Sequence, residues 1–390
     1  MKTVSVVLVG IGGYGAGITK EVLDNQFDKN VCVVGVVEPF IDNSVMKDEI
    51  LSNNIPVFVS LEEFYKENKA DFAIISTPIY LHKEQCIYAM EHGSDVLCEK
   101  PIAPTVQDAY EMRNCSLVTG KHLNIGYQLS HAPANLKLKQ DILDNKFGKL
   151  IDMYSIICWP RNSTYYARPW AAKATHNGKV VLDSIAMNAC AHYLHNMFFL
   201  SGESIGESSQ PIKMGASLYR ANEIETFDTA CIEVIIKNNV PLRFIATHAT
   251  KNVISPVTRC RFENATLYIT ETVGDNTVVA KFNDGTVIEY GATYQDRFEK
   301  IWYCIDVLRG VKSQTCTVET ALPHLKCVNA ATEFVEVINF DGVQNENEVN
   351  FVPDIDLMFK KAFDNNVMPE LYKPKMEIDL DSYDYFGGMK

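Results

Sequence analysis

Apolar residues in the first third of the chain come in short continuous runs, separated by amphipathic stretches. Val4–Val9 and Val31–Val37 are two such runs, and others lie at 71–76, 95–99 and 123–126. Continuous apolar runs are typical of strands that are buried on both faces, as in a parallel sheet. Their alternation with helical stretches predicts a doubly wound α/β domain whose ligand binds at the carboxyl ends of the strands.

After residue 128 the pattern changes to longer strands and hairpins. The predicted helices lie at 134–145, from 184 onward, at 297–308 and at 321–337, and a long strand is predicted at 149–159. Alternating segments at 213–247 and 257–272 predict antiparallel strands, with hairpin turns at 238–239 and 283–285. We therefore predict two domains, 1–128 and 129–390, the second an α+β domain with an open, mostly antiparallel sheet.

Composition narrows the class of protein. The 390 residues are 47% hydrophobic and carry a net charge of −13, which argues against nucleic acid and anionic membranes as partners. No apolar run is long enough to span a bilayer. The 11 cysteines include no C-x-x-C pair, as expected of reduced thiols in a cytoplasmic protein. The acidic, turn-rich stretch from Asp341, with its acidic segment at 379–385, is either a tail or an arm over a neighbour.

The turn after the first strand has the glycine spacing of a dinucleotide site. Gly10, Gly12 and Gly15 fit G-x-G-x-x-G, which brings a pyrophosphate to a helix N-terminus, with Gly13 and Tyr14 in the same turn. Glu38 ends the second strand, where a carboxylate is expected to hold ribose hydroxyls. Residues 39–44 contain no Arg or Lys for a 2′-phosphate, which favours NAD over NADP. A plain strand–turn–helix is the alternative.

Two further strand ends carry polar residues. Ser76-Thr77-Pro78 follows the fourth strand, with His82 in the next turn, and Glu99-Lys100-Pro101 follows the fifth. A partly desolvated lysine there would donate to an alkoxide or carbonyl oxygen. An ordinary βα loop and a surface lysine are the alternatives.

In the order and spacing of these motifs, the sequence resembles the glucose–fructose oxidoreductase / inositol dehydrogenase / MocA-like (Gfo/Idh/MocA) oxidoreductases over nearly the whole chain. The resemblance implies that Lys100 touches the reacting oxygen and that a cis peptide bond precedes Pro101. It also implies cofactor contacts from Ser76, Thr77, Pro78, His82 and Glu99. Ile79 stands where the family has Asn, which puts a polar cofactor contact from that position in question.

A loop rich in cations and aromatic rings follows the long strand. No Asp or Glu occurs from Met153 to Leu182, although the protein is acidic. Guanidinium groups beside rings form a common cradle for sugars and carboxylates. The alternative is a packing or interface loop whose cations pair elsewhere. The residues assigned to substrate binding are Arg161, Tyr166, Arg168 and Trp170, together with Gln128.

The helix predicted from Ser184 places Asn188, His192 and His195 on one face. A metal site is not expected, because a third nearby ligand is missing; His195 is better interpreted as a core histidine. The family carries Asp-x-x-x-His on this helix, which implies that His192 is the general base. Asn188 takes the place of the Asp, so it is expected to bind a substrate hydroxyl rather than orient His192.

These expectations combine into an NAD-dependent oxidoreductase acting on a secondary hydroxyl of a sugar, polyol or sugar acid. His192 would remove the hydroxyl proton while Lys100 stabilises the developing alkoxide. The alternatives are a redox-neutral, NAD-dependent glycoside-cleaving enzyme and a non-catalytic NAD(P)-binding regulator. Because the family buries the open sheet face between subunits, the resemblance also implies a homodimer or homotetramer. The expected partner is a small, sugar-like substrate, either anionic or highly hydroxylated.

Overall fold

The computed structural model of the protein describes residues 2–272, 276–294 and 296–381. In the N-terminal part, strands and helices alternate as predicted. They are β1 (Val4–Val9), α1 (Tyr14–Asn25), β2 (Val31–Val37), α2 (Lys47–Ser52), β3 (Val57–Phe58), α3 (Leu61–Glu67), β4 (Phe72–Ile75), α4 (His82–Glu91), β5 (Asp95–Cys98), α5 (Val106–Thr119) and β6 (Leu123–Ile125).

The rest of the chain contains longer strands. Its elements are α6 (Pro133–Leu143), β7 (Leu150–Cys158), α7 (Ser163–Tyr166), β8 (Thr175–His176), β9 (Lys179–Val180), a π-helical turn (Ile185–Ala189), α8 (Ala191–Leu200), β10 (Pro211–Arg220), β11 (Thr229–Ile236), β12 (Val240–Thr247), β13 (Ile254–Phe262), β14 (Ala265–Thr270), β15 (Val278–Phe282), β16 (Val287–Gly291), α9 (Glu299–Leu308), α10 (Val318–Phe334), β17 (Val337–Asn339), β18 (Gln344–Glu346), β19 (Val349–Phe351), α11 (Ile355–Asp364) and β20 (Ile378–Asp379).

Strands β1–β6 form one parallel sheet in the order β3-β2-β1-β4-β5-β6. At its carboxyl edge, the residue after every strand except β3 donates a backbone hydrogen bond to the neighbouring strand. The Ser76 amide donates to Val9 O at 2.8 Å, and the Glu99 amide donates to Ile75 O at 2.9 Å. The predicted doubly wound sheet is confirmed, and its motif-bearing turns lie side by side along one edge.

The first compact unit comprises Met1–Ala103, Gln107–Gln128 and Asp296–Val318. The predicted boundary at 128/129 assigned the last of these segments, which holds α9, to the second domain. Helix α9 packs in this unit because Ile301, Cys304 and Ile305 complete the apolar core next to α1. An apolar helix face has to be buried, and the matching surface lies beside a helix far away in sequence.

The second unit contains a ten-stranded sheet in the order β16-β15-β14-β13-β7-β12-β11-β10-β17, with β20 on β10. Among the described strands of this second sheet, only the pairings β7–β12 and β10–β17 are parallel. Asn238 and Asn239 both have left-handed backbone conformations, with φ of 63° and 58°, in the predicted hairpin turn. The predicted open, mostly antiparallel sheet is confirmed.

The stretch from Asp341 folds back onto its own unit. Ile355, Phe359 and Phe363 of α11 pack on the sheet face formed by Tyr154, Ile156, Cys158, Cys231 and Ile245. The chain itself therefore covers the centre of the sheet face that was expected to be hidden between subunits. Residues 382–385, part of the acidic segment predicted near the end, lie outside the described residues. Within the described part of the chain, no helix combines the length and apolarity needed to cross a membrane.

Candidate functional site

The glycine turn between β1 and α1 is closely packed on one side and open on the other. A Cβ atom on Gly15 would lie 2.2 Å from Gly10 O, so only glycine lets the helix approach the strand here. Gly12 and Gly13 are exposed, and an added Cβ would meet nothing within 4 Å. Their backbone amides donate to no described residue. An open turn with free amides at a helix N-terminus fits a diphosphate.

Glu38 is held against this turn. Its Oε2 atom accepts a hydrogen bond from the Ile11 amide at 3.2 Å, and its Oε1 atom accepts one from the Phe40 amide at 3.0 Å. The carboxylate is half-buried. Because each carboxylate oxygen can accept more than one bond, ribose hydroxyls can still donate to Glu38.

Glu99, predicted as a cofactor contact, is one half of a buried ion pair. Lys300 from α9 is fully buried, and its Nζ lies 2.5 Å from Glu99 Oε1 and 3.0 Å from Gly126 O. Nζ also donates to the Tyr14 hydroxyl at 3.3 Å. Burial lowers the pKa of Lys300, but Glu99 and Tyr14 together raise that pKa above its usual value. Lys300 is therefore a cation at the carboxyl edge of the sheet.

The turns after β4 and β5 are joined by His82. The side chain is buried, and its Nδ1 and Nε2 atoms each lie 2.9 Å from a carbonyl oxygen, of Pro101 and Thr77 respectively. Carbonyl oxygens only accept, so both ring nitrogens must donate, and the ring is an imidazolium. Burial alone would lower the pKa of His82, but Cys98 and the two carbonyls raise it to about 9. His82 thus clamps the Ser76-Thr77-Pro78 and Glu99-Lys100-Pro101 turns together.

The remaining predicted residues of this unit lie on the same edge. The peptide bond between Lys100 and Pro101 is cis, as the resemblance implied. Ser76, Thr77, Pro78, Lys100 and Gln128 are all half-buried. The Thr77 hydroxyl donates to Gln85 Oε1 at 2.5 Å, which fixes the turn after β4.

In the second unit, Asn188 and His192 lie on the accessible side of a buried helical segment. From 181 to 200, only these two residues and Ala189 are partly exposed. His195 lies three residues after His192 in the same helix, α8, but its side chain is buried in the core. The segment opens with a π-helical turn and breaks at Cys190, and His195 is fully buried with Nε2 2.8 Å from Ser130 Oγ. Burial lowers the pKa of His195 well below its usual value, as in a neutral core histidine.

Asp183, just before this turn, connects it to the cation-rich loop. Its Oδ1 accepts from the Asn188 side-chain amide at 2.8 Å, and its Oδ2 accepts from the Ala172 amide at 2.6 Å. Its own backbone carbonyl accepts from the Thr226 hydroxyl at 2.5 Å. A buried carboxylate is thus placed five residues before Asn188, although the helix itself lacks the family's Asp.

The loop after β7 holds its predicted substrate residues as one cluster. The guanidinium carbons of Arg161 and Arg168 lie 5.0 Å and 4.4 Å from the centre of the Tyr165 ring. Arg168 also lies 4.7 Å from the Trp170 ring, and Tyr165 packs edge-on against Tyr166. The hairpin formed by β18 and β19 also contacts the loop: its Glu348 side chain accepts a hydrogen bond from the Ser163 hydroxyl at 2.6 Å.

One more acid contacts the N-terminal turn of α8. Glu271, after β14, accepts a hydrogen bond from the Tyr193 hydroxyl at 2.9 Å, and Tyr193 packs edge-on against Trp159. Burial raises the pKa of Glu271 to about 7. A carboxyl group that titrates near neutrality therefore contacts Tyr193, the residue next to His192 in the sequence.

Sequence reasoning did not assign Lys300, Asp183 or Glu271 to a site. For Asp183 a signal was available, because it ends the acid-free stretch and begins the helix that carries Asn188. For the others the partner is distant in sequence, and local composition gives no indication of it.

The geometry of the first unit is that of a dinucleotide-binding Rossmann domain, the class that its sheet order and glycine turn define. Residues 4–127 match the family model described as the oxidoreductase family, NAD-binding Rossmann fold. The similarity to this oxidoreductase family therefore covers the Rossmann domain, residues 4–127 of the chain.

The chain aligns with less than two thirds of the length of the curated relatives that it matches. The 2,7-anhydro-N-acetylneuraminate hydratase of Mediterraneibacter gnavus is 32% identical over 161 residues, 40% of this chain and 40% of that protein. The inositol 2-dehydrogenase of Renibacterium salmoninarum is 24% identical over 164 residues, 42% of this chain and 47% of that protein.

Among solved structures, the WlbA dehydrogenase of Chromobacterium violaceum, in complex with NADH and UDP-GlcNAcA, has a TM-score of 0.70. The match covers 85% of this chain and 93% of that chain at 21% identity. At this identity the likeness shows a shared fold, which extends beyond the Rossmann domain.

Proposed function

We propose that the protein is an NAD-dependent oxidoreductase that acts on a secondary hydroxyl of a sugar, polyol or sugar acid. The observation that supports this most directly is the position of Lys100. It follows a buried parallel strand of a family NAD-binding domain, between the clamp formed by His82 and the buried Glu99–Lys300 pair.

Bound NAD would supply the hydride acceptor. Gly10, Gly12, Gly13, Tyr14 and Gly15 would hold its diphosphate and Glu38 its ribose, with further contacts from Ser76, Thr77, Pro78, His82 and Glu99. His82 would act through the two turns that it joins, because both of its ring nitrogens already contact protein carbonyls. Glu38, with no Arg or Lys at 39–44, supports NAD over NADP because its charge would repel a 2′-phosphate.

Lys100 and His192 would carry the proton and charge chemistry. The Lys100 ammonium would stabilise the alkoxide that develops on the substrate oxygen. The His192 imidazole would accept the hydroxyl proton, since histidine is the natural base at neutral pH. Asn188 and Gln128 would hold neighbouring substrate groups by hydrogen bonds.

The test is a panel of sugars, uronates and inositols with NAD, followed through the absorbance of the reduced nicotinamide. We expect oxidation of at least one member, and Lys100→Met should abolish turnover while NADH binding, measured by fluorescence, is retained. Lys66→Met, at an exposed lysine of α3, is the matched control. Near-normal turnover by Lys100→Met would refute the role of this lysine.

A redox-neutral reaction is the second candidate, supported by the aligned hydratase and by Glu271. Elimination or hydration needs a second proton-carrying group besides a base, and a carboxyl with a pKa of about 7 can provide it. Product formation from an anhydro sugar or glycoside without accumulation of NADH would favour this reaction. Net NADH formation from a free sugar would favour the first. If the protein is an NAD(P)-binding regulator, we expect neither product formation nor net NADH formation.

We further propose a cytoplasmic homo-oligomer. All 11 cysteines are free thiols, as a reducing compartment requires. Because α11 covers the centre of the sheet face, a dimer or tetramer contact through this sheet would use its β14–β16 side, where Tyr268 is half-buried and Lys281 is exposed. Light scattering after size-exclusion chromatography, with Lys281→Glu as the interface variant, tests this.

A further inference from the structure

Two guanidinium groups flank one aromatic ring in the loop after β7. Arg161 and Arg168 both lie over the Tyr165 ring, and Arg161 also lies 5.3 Å from the centre of the Trp159 ring. Stacking on rings orients a guanidinium group but uses none of its N–H donors. The donors on both groups therefore remain to be satisfied by acceptors.

Those acceptors are few. Arg161 Nη1 donates to Pro160 O at 3.3 Å, and Arg168 Nε donates to Tyr165 O at 3.2 Å. Within the described ranges, neither arginine forms an ion pair, and Arg161 Nε, Arg168 Nη2 and the Tyr166 hydroxyl are buried without a hydrogen-bond partner. Burying such donors unpaired is costly, and both arginines contact the same ring, so the loop offers several unsatisfied donors to an anionic ligand.

The acids around the cluster are already engaged. Burial raises the pKa of the Tyr166 hydroxyl, and the charges of Asp228 and Asp183 raise it further. Asp183 accepts from the Ala172 amide and the Asn188 side chain. Asp228 accepts from the amides of Ala221 and Asn222. Neither carboxylate bonds to the two guanidinium groups, which therefore keep their N–H donors for another anion.

His248 adds one acceptor to this set of donors. It is buried and packs edge-on against Tyr165, and its Nδ1 lies 2.8 Å from Trp159 O. Nδ1 must carry the proton toward that carbonyl. Burial, reinforced by Arg161, lowers the pKa of His248 to about 3, so the ring is neutral and Nε2 is an acceptor. Nε2 is buried with no partner among the described residues.

We propose, building on the proposed function, that this cluster is a subsite for the anionic group of an acidic sugar. Arg161, Arg168 and Tyr166 donate to the oxygens of a carboxylate or phosphate, and His248 Nε2 accepts from a hydroxyl beside it. The substrate class is then an acidic sugar, in preference to a neutral sugar or inositol.

The experiment is calorimetric titration of the NADH-loaded protein with matched sugars at millimolar concentration. D-glucuronate and D-galacturonate test a carboxylate, D-glucose 6-phosphate tests a phosphate, and D-glucose and D-galactose are the neutral partners. We expect at least one acidic sugar to bind more tightly than its neutral partner. Arg161→Ala or Arg168→Ala should weaken that binding about tenfold to a hundredfold. The neutral sugars should change less than about threefold.

Controls separate charge from folding. Lys173→Ala removes a cation of the same loop that is paired with Glu225, and it should leave acidic-sugar binding unchanged. Arg161→Lys keeps the charge but loses the fork, so it should restore only part of the affinity. All variants should retain NADH binding and the wild-type circular dichroism spectrum.

Three results would overturn the subsite: no binding by any acidic sugar, equal binding of acidic and neutral sugars, or an equal loss for both in the arginine variants. Because binding is measured without turnover, failure of the proposed function is distinguishable. Arginine-dependent binding with no hydride transfer leaves the subsite standing, whereas oxidation of neutral sugars alone leaves only the proposed function standing.

Discussion

Lys300 Nζ lies 2.5 Å from Glu99 Oε1, and neither side chain is accessible to solvent to any useful extent. The two residues are about 200 positions apart, yet both belong to the unit that holds the glycine turn. A Cβ on Gly126 would lie 2.9 Å from the Glu99 carboxylate, so the space around the pair is tightly filled. Since Glu99 immediately precedes Lys100, this pair fixes the strand end that carries the candidate catalytic lysine.

Lys300→Met should therefore destabilise the protein strongly. It leaves the Glu99 carboxylate buried without its cation, which costs about 3–5 kcal/mol of unfolding free energy. Urea denaturation measures the loss. The double variant Lys300→Met/Glu99→Gln also removes the unpaired buried charge and should recover most of the lost unfolding free energy. A single-variant loss near that of an exposed lysine would show that the pair does not hold the strand end.

The imidazolium at His82 predicts a pH dependence of stability. Its pKa is about 9 in the folded protein, against about 6.5 in an unfolded chain, so the folded state binds the proton more tightly. The stabilisation, on the order of 3 kcal/mol, is complete below about pH 6.5 and is lost as the pH rises through 9. His82→Gln cannot gain this proton.

Unfolding in urea at a series of pH values from 6 to 10 checks this. The wild type should lose stability relative to His82→Gln across that interval, so the difference between the two proteins shrinks toward alkaline pH. A difference that stays constant with pH would mean that His82 is neutral.

Two glycines of the turn, the exposed Gly12 and the buried Gly15, allow effects on cofactor binding to be distinguished from effects on folding. Gly12→Ala meets no protein atom within 4 Å and should leave the melting temperature nearly unchanged, but its methyl group would intrude on the diphosphate. Gly15→Ala would press on Gly10 O at 2.2 Å and should lower the stability of the protein without cofactor. Thermal melts and NADH fluorescence titrations of both variants distinguish the two effects. Equal loss of stability in both would contradict this division.

The parallel sheet and the turns at its carboxyl edge could be predicted because each signal is local. The buried runs, the glycine spacing and Glu99-Lys100-Pro101 depend on neighbouring residues, and the resemblance supplied their order. The orientation of Asn188 relative to His192 and His195 could not be predicted, because periodicity assumes an unbroken α-helix. A π-helical turn and a break at Cys190 change which side chains face the core.

Other parts of the structure depend on partners distant in sequence. Nothing next to Lys300 indicates that it pairs with Glu99, so α9 was assigned to the second domain. Helix α11 did carry a signal, since Ile355, Phe359 and Phe363 recur at helical spacing. The acidic, turn-rich composition around α11 concealed that signal, so the packing of this helix on the sheet was not predicted.

Helix α11 is expected to stabilise the second unit mainly through its apolar face. Phe359→Ala removes a fully buried ring from the cluster on the sheet and should cost about 3–5 kcal/mol. Leu357→Ala is the control on the same helix, because Leu357 is 63% exposed, and it should cost less than about 1 kcal/mol. Urea denaturation compares them. Similar values would mean that α11 contributes little to covering the sheet.

The hydrogen bond between Asp183 and Asn188 offers a test of the helix that carries His192. Asn188→Asp would set two carboxylates against each other at the present 2.8 Å contact. The pKa of one of them would then rise. Asp183→Asn would replace an acceptor that also holds the Ala172 amide, and should loosen the cation-rich loop. We expect each single variant to lower kcat/KM at least tenfold, with the Asp183→Asn effect mainly in KM.

The double variant Asp183→Asn/Asn188→Asp exchanges the two partners and restores one carboxylate–amide hydrogen bond. It also creates the Asp-x-x-x-His spacing in front of His192, so it should recover part of kcat and raise the pKa that the pH–rate profile reports for the base. A double-mutant cycle on kcat/KM measures the coupling. Strict additivity of the two losses, with an unshifted pH profile, would mean that Asp183 and Asn188 do not act as a unit on His192.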